Sequence, residues 1–244
     1  MNRQAQAVVL LLLGGAVVRA SVTDLYLRYV KEGLRPFLIA AGLVLVATAV
    51  TTLWYELRPP ATGHHQPDDG HGDHDHGHHE PRVGWLLLLP VLGLLLVAPP
   101  ALGSYAAEQA GTALAAEQQP SDYPPLPPGD PAPVTVLDYA SRALFDRGTS
   151  IGDRRVRLTG FIVAGPDGQP MLARMVLSCC AADGRPVKLG LTGDVPLGLP
   201  NDTWVEATGR YSDRVGRDPV NDAEIPYLAV ESWRKVPVPR NQYE

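Results

Sequence analysis

All seven histidines of the chain, His64, His65, His71, His74, His76, His78 and His79, fall in one run, HHQPDDGHGDHDHGHHE. Neutral imidazole is the commonest side-chain ligand for borderline transition metals. Here it is interleaved with Asp68, Asp69, Asp73, Asp75 and Glu80, and with Gly70, Gly72 and Gly77, which let the backbone wrap an ion. The run has no fixed ligand spacing and no rigid scaffold. It is therefore expected to bind Zn²⁺, Ni²⁺ or Cu²⁺ with fast exchange, unlike a closed structural zinc site. Zinc or another divalent transition metal is the expected ion, and buffering or delivery fits better than catalysis. The plain alternative is a solvated polar loop. Acidic residues alone would have solvated it, and clustering every histidine of the chain there tilts the balance toward metal.

The second group of chemically capable residues is RMVLSCCAAD, with Arg174, Cys179, Cys180 and Asp183. A strand running through both cysteines would send their side chains to opposite faces, one packed inside and one accessible. A chain turn would instead bring both thiols and Asp183 together. A disulfide between neighbours closes a strained ring, so the pair is not read as a structural staple. A thiol redox enzyme is the least favoured reading, because there is no CxxC spacing and no histidine nearby. With every histidine in the acidic run, the usual serine and cysteine hydrolase arrangements are excluded. The sequence also carries no phosphate-cradling glycine loop, GxSxG elbow or HExxH. The chain is not expected to be an enzyme.

Three apolar segments frame the histidine run: residues 5–22, 37–55 and 85–103. The second and third are each 19 residues without a charge, enough to span a bilayer. The first is shorter before Arg19 and reads either as a span with Arg19 at the interface or as a cleaved signal. Residues 1–103 are thus expected to form a multi-pass α-helical membrane module of two to three spans, with the His-rich loop at 56–84. Trp54, Tyr55 and Trp85 are placed as interfacial anchors in contact with lipid. The net charge of −5 comes with no basic face, so no nucleic-acid partner is implied.

Residues 104–133, ending in SDYPPLPPGDPAP, read as a Pro-rich linker. From 134 to 240 a β-rich soluble domain is expected. It opens with one amphipathic helix ending at Gly148, and strands follow at 155–164, 171–179, 187–192, 204–211 and 227–236. GPDGQP, ADGRP and DRVGRDPVNDAEIP separate them as turns. Five strands in about 85 residues suit a small closed barrel of oligonucleotide/oligosaccharide-binding (OB) type, with Trp204 and Trp233 in its core.

The layout of apolar segments, His-rich loop, RLTGFIV, Arg174, CCAAD and WVEATGRY resembles the YcgQ-like membrane proteins of bacteria. That resemblance covers nearly the whole chain and implies a permease subunit acting beside a larger multispan permease. The expected function is an integral membrane accessory subunit whose His loop binds or buffers a divalent metal such as zinc. The alternative is a membrane-tethered OB-like module that binds a ligand or partner, with the His loop incidental. The expected location is the cell membrane, with the His loop cytoplasmic and the C-terminal domain extracytoplasmic.

Overall fold

The structure, a computed structural model, describes residues 3–58, 100–114 and 123–244. The seven histidines and residues 85–99 of the third apolar segment lie outside the described residues, as do residues 115–122 of the expected linker. The chain divides into two units. One holds Met1–Tyr26 and Gly33–Pro99, the other Leu27–Glu32 and Pro100–Glu244.

The first unit contains two apolar helices, α1 (Arg3–Val22) and α2 (Arg35–Leu57). Pro36 sits in the first turn of α2, where a missing N–H is harmless and its fixed φ favours the helix. Small residues line the seam between the helices. Ala7, Gly14 and Ser21 are buried on α1, and Gly42 and Ala49 on α2, each spaced by seven. A Cβ on Gly42 would stand 2.7 Å from Val18 Cγ2 and 3.2 Å from Gly14 O, so the backbones approach closely there. The hydroxyls of Thr48 and Thr52 return to the carbonyls of Val44 and Thr48 at 2.8 Å, which removes them from any need of water. Glu32–Leu57 is long and apolar enough to cross a membrane, whereas the apolar part of α1, Gln6–Val22, is shorter. Trp54 and Tyr55 are exposed near the end of α2, and the Arg58 guanidinium lies 5.1 Å from the Trp54 ring.

In the second unit the expected β-barrel is present and closed. Its strands are β2 (Val156–Ala164), β3 (Pro170–Val176), β4 (Arg185–Gly193), β5 (Trp204–Arg217) and β6 (Glu224–Lys235), and β1 (Ala132–Pro133) adds to β2 in parallel. The order around the barrel is β2-β3-β4-β6-β5, and β2 pairs with β5 to close it. All these pairings are antiparallel except β4 with β6. Alternation assigns the faces. Leu158 and Ile162 of β2 and Leu172 of β3 enter the interior with Leu189, Val205 and Leu228. Phe161 and Val163, with Met171, Ala173 and Met175, point outward into a second apolar cluster. Both faces of β2 and β3 are thus covered, which explains their continuous apolar runs. Gly160 is needed where these strands cross closely, since a Cβ there would meet Ala173 O at 2.6 Å.

The amphipathic helix expected before the strands is α4 (Val136–Phe145). Thr135 caps it by accepting from Asp138 N at 3.0 Å, and Gly148 at φ 72° ends the turn beyond it. Tyr139 is fully buried against the barrel and donates its hydroxyl to Tyr227 O at 2.6 Å.

Two sets of expectations are corrected here, the first on residues 100–133 and the second on the last turn of the barrel. The described parts of the expected linker, 104–114 and 123–133, are packed rather than extended away. Ser104–Gln109 forms helix α3, and Ala107, Thr112, Leu126 and Ala132 are buried. Residues 100–103, expected within the third span, belong to the barrel unit, with Ala101 and Leu102 packed on its outer cluster. The anchor is a polar pair. Lys188 Nζ lies 3.0 Å from Asp218 Oδ2, both side chains fully enclosed, and donates to Ala110 O at 2.8 Å. Asp218 also accepts from Thr112 N and Val220 N. Composition alone could not show this, because the contacts tie residue 112 to residues 188 and 218. In the second correction, most of DRVGRDPVNDAEIP is strand. β5 and β6 extend as a two-stranded ribbon with register shifts at Thr208/Gly209 and Ser212/Val215, and the turn is confined to Asp218–Ala223.

Candidate functional site: a dithiol and carboxylate turn

Strand β3 ends at Val176, so it does not carry the cysteines. Leu177 N donates to Glu244 O and Glu244 N to Met175 O, and the chain then leaves the sheet. The expectation of one thiol packed in the barrel and one outside therefore gives way to the alternative of a turn. Cys179 is exposed, Cys180 is half-buried, and both are free thiols.

Asp183 builds the turn. Its Oδ1 accepts from Ser178 N at 2.8 Å, and its Oδ2 accepts from Cys179 N at 2.8 Å and Cys180 N at 3.2 Å. Residues Ala181–Asp183 form a single 3₁₀ turn in which the Cys180 sulfur accepts the backbone N–H of Asp183. The donor atoms of Cys179, Cys180 and Asp183 all lie within 4.8 Å of one another. The electrostatics follow from this geometry. A hydrogen bond from the Cys179 thiol, then the backbone N–H groups, hold the Asp183 carboxyl well below the usual carboxylate range. In return, Asp183 first and Cys180 second push the Cys179 thiol up to about 11. At neutral pH Cys179 is thus a protonated, weak nucleophile. The three donors together can ligate a metal ion, which would replace the thiol proton.

A second chain segment, which sequence reasoning missed, closes the turn from behind. Val30 forms an antiparallel bridge with Cys180, with Lys31 N donating to Cys179 O at 3.0 Å and Ala181 N to Tyr29 O at 2.7 Å. Lys31 Nζ donates to Leu177 O at 3.3 Å. The β-branched and aromatic pair Tyr29-Val30 was its one sequence signal, inside a stretch read simply as a loop between spans.

Arg174, singled out with the cysteines, is occupied elsewhere. Its guanidinium stacks 4.7 Å from the Trp204 ring, donates to Asn241 O at 2.8 Å, and lies 3.6 Å from Glu244 Oε1. Glu244 in turn accepts from the first N–H groups of α4, those of Val136 and Leu137. Arg174 therefore pins the C-terminal segment to the barrel. Trp204 is buried edge-on to Phe161 at 5.6 Å, and Trp233 packs half-buried on the core, as expected of both. A separate cavity of about 500 Å³ is lined by Arg28, Leu102, Tyr105, Phe161, Trp204 and Gln242, among others.

Fold and site together define a small closed β-barrel domain with a solvent-facing thiol and carboxylate turn, in a chain that also carries an apolar helix able to span a membrane. Residues 144–244 match the family model described as the DUF1980 C-terminal domain, consistent with a DUF1980-type family. No curated protein and no solved structure matches the chain.

Proposed function

We propose that this protein is an integral membrane accessory subunit of a permease that handles a divalent metal such as zinc. The observation that carries the reading is the convergence of Cys179, Cys180 and Asp183 on one accessible turn. The seven histidines between His64 and His79 act as a second, weaker donor set that captures or buffers the ion. The apolar segments anchor the chain as a multi-pass protein, with the barrel on the extracytoplasmic side. The YcgQ-like resemblance supports a larger multispan permease as partner. The barrel is not catalytic in this reading. Its strand order, with a single parallel pairing of β4 and β6, supports the OB-like assignment and a docking role.

The test is zinc flux in vesicles. Flux is expected only when the chain is co-expressed with a larger multispan permease partner, and it should fall when the seven histidines are replaced by serine. Flux from this chain alone, above empty vesicles, would remove the accessory role.

The cavity beside Phe161 and Trp204 favours a second reading, a membrane-tethered module that binds a small ligand or peptide, because its volume and apolar lining suit such a guest. Replacing Tyr105 and Phe161 by alanine should then abolish partner capture while zinc binding persists.

A further inference from the structure

We infer that the Cys179, Cys180 and Asp183 turn is an open, thiophilic metal site that takes Zn²⁺ through three protein donors, two sulfurs and one oxygen, and leaves one coordination position free for the ion's next ligand. The inference deepens the metal-handling role proposed above and rests on it. The first ground is distance. Two Zn–S bonds of ~2.3 Å at a tetrahedral angle place the sulfurs about 3.8 Å apart. Donor atoms already within 4.8 Å of one another need to close by only about 1 Å, which an exposed and a half-buried side chain can do by small torsional shifts.

The second ground is the lone-pair inventory of Asp183. An ionised carboxylate offers about four acceptor sites. Three are taken by the N–H groups of Ser178, Cys179 and Cys180. The remaining one lies beside the two sulfurs, all three donor atoms being within 4.8 Å of one another. A metal ion can therefore take that fourth acceptor site without breaking one backbone hydrogen bond of the turn. The change is balanced: Zn²⁺ forms two bonds to sulfur and one to oxygen, the two S–H bonds break, and two protons leave to solvent with no change of oxidation state. The loaded site carries one net negative charge, and Lys31 brings a positive charge to the same turn.

The third ground is what the cluster lacks. Among the described residues no other histidine, cysteine, aspartate or glutamate joins it. Structural zinc sites are closed by four protein ligands, whereas three leave a position for exchange. Two sulfurs select zinc-like ions over Mg²⁺ and Ca²⁺, which require oxygen ligands. Three protein donors leave the fourth position to a ligand from outside the turn.

The test uses the full chain in detergent under reducing conditions, in the background where all seven histidines are serine, with Co²⁺ as the spectroscopic probe. A thiolate-to-cobalt charge-transfer band is expected at one ion per chain, abolished by Zn²⁺ and untouched by excess Mg²⁺. Cys179→Ser and Cys180→Ser should each weaken binding by more than the ~100-fold that loss of an outer-shell partner costs, and Asp183→Asn by at least about tenfold. Circular dichroism melts confirm that each variant keeps the barrel. No band, or a band that survives both cysteine substitutions, overturns the site. Loss of the band with histidine-dependent flux intact would sink this inference alone, whereas a normal band without permease-dependent flux would sink the accessory role and leave the site standing.

Discussion

Two aspartates of the barrel unit do similar work in opposite surroundings. Asp218 accepts backbone N–H groups from Thr112 and Val220, and its last partner is the Lys188 ammonium, all of it enclosed. Asp183 accepts backbone N–H groups from Ser178, Cys179 and Cys180, and its last partner is a thiol proton facing solvent. The first arrangement is complete and cannot exchange a member without leaving a buried charge unpaired. The second holds its backbone equally well, yet its final partner is replaceable. What separates a strut from a receiving site here is the identity and exposure of one partner, since the carboxylate does the same in both.

The largest effect expected from breaking this comparison is at the strut. Lys188→Ala should cost about 3–5 kcal/mol of unfolding free energy, because it strands the Asp218 carboxylate in the interior. Denaturant unfolding of the full chain reads it. A loss under about 1 kcal/mol would mean that water reaches the pair and the two aspartates differ less than their burial implies.

At the exposed turn the response should be chemical rather than thermodynamic. Asp183→Ala frees Cys179 to return from about 11 toward its ordinary value of 9.0. The thiolate fraction at pH 8 then rises by at most about a hundredfold, since Cys180 keeps part of the upward shift, and lower intrinsic nucleophilicity takes back much of it, for a net alkylation rate up to roughly tenfold faster. Iodoacetamide labelling followed by mass spectrometry measures this site by site. In the unaltered chain the Cys179 rate should keep climbing to about pH 11. A plateau near pH 9 in that chain would dissolve the thiol and carboxylate bond.

The smallest expected effect concerns acid. The Asp183 carboxyl titrates below its ordinary 3.8 in the folded chain, so the stability it lends is present above that value and lost as pH falls through the lower, folded one. The amide signals of Ser178 and Cys179 should therefore stay fixed from neutral pH down to about 4 and move only below it. Movement between pH 6 and 5 would implicate another group.

Much of this was legible in the sequence because it is local. Val156, Leu158 and Ile162 alternate, Thr135 caps a helix three residues ahead of Asp138, and the strands from Trp204 and from near Tyr227 begin close to where their patterns begin. The cysteine turn was half legible: SCCAAD allowed a strand or a turn. The choice was made by Glu244 pairing with Met175 and Leu177, which ends β3 from the far side of the sequence. Pro and Ala content misled over residues 104–114, which the buried Lys188 and Asp218 pair holds through Ala110 and Thr112, and over 123–133, which Arg154 and the pairing of Ala132 and Pro133 with β2 hold. The bridge from Val30 to Cys180 joins residues 150 apart and leaves no periodic trace.

That bridge also ties the dithiol to a part of the chain far upstream of it. Tyr29, Val30 and Lys31 lie in the short connector just before α2, and they are hydrogen-bonded to the turn that carries Cys179 and Cys180. Whatever pulls on that upstream segment is therefore felt at the two thiols, through one backbone hydrogen bond to Cys179 and another from Ala181.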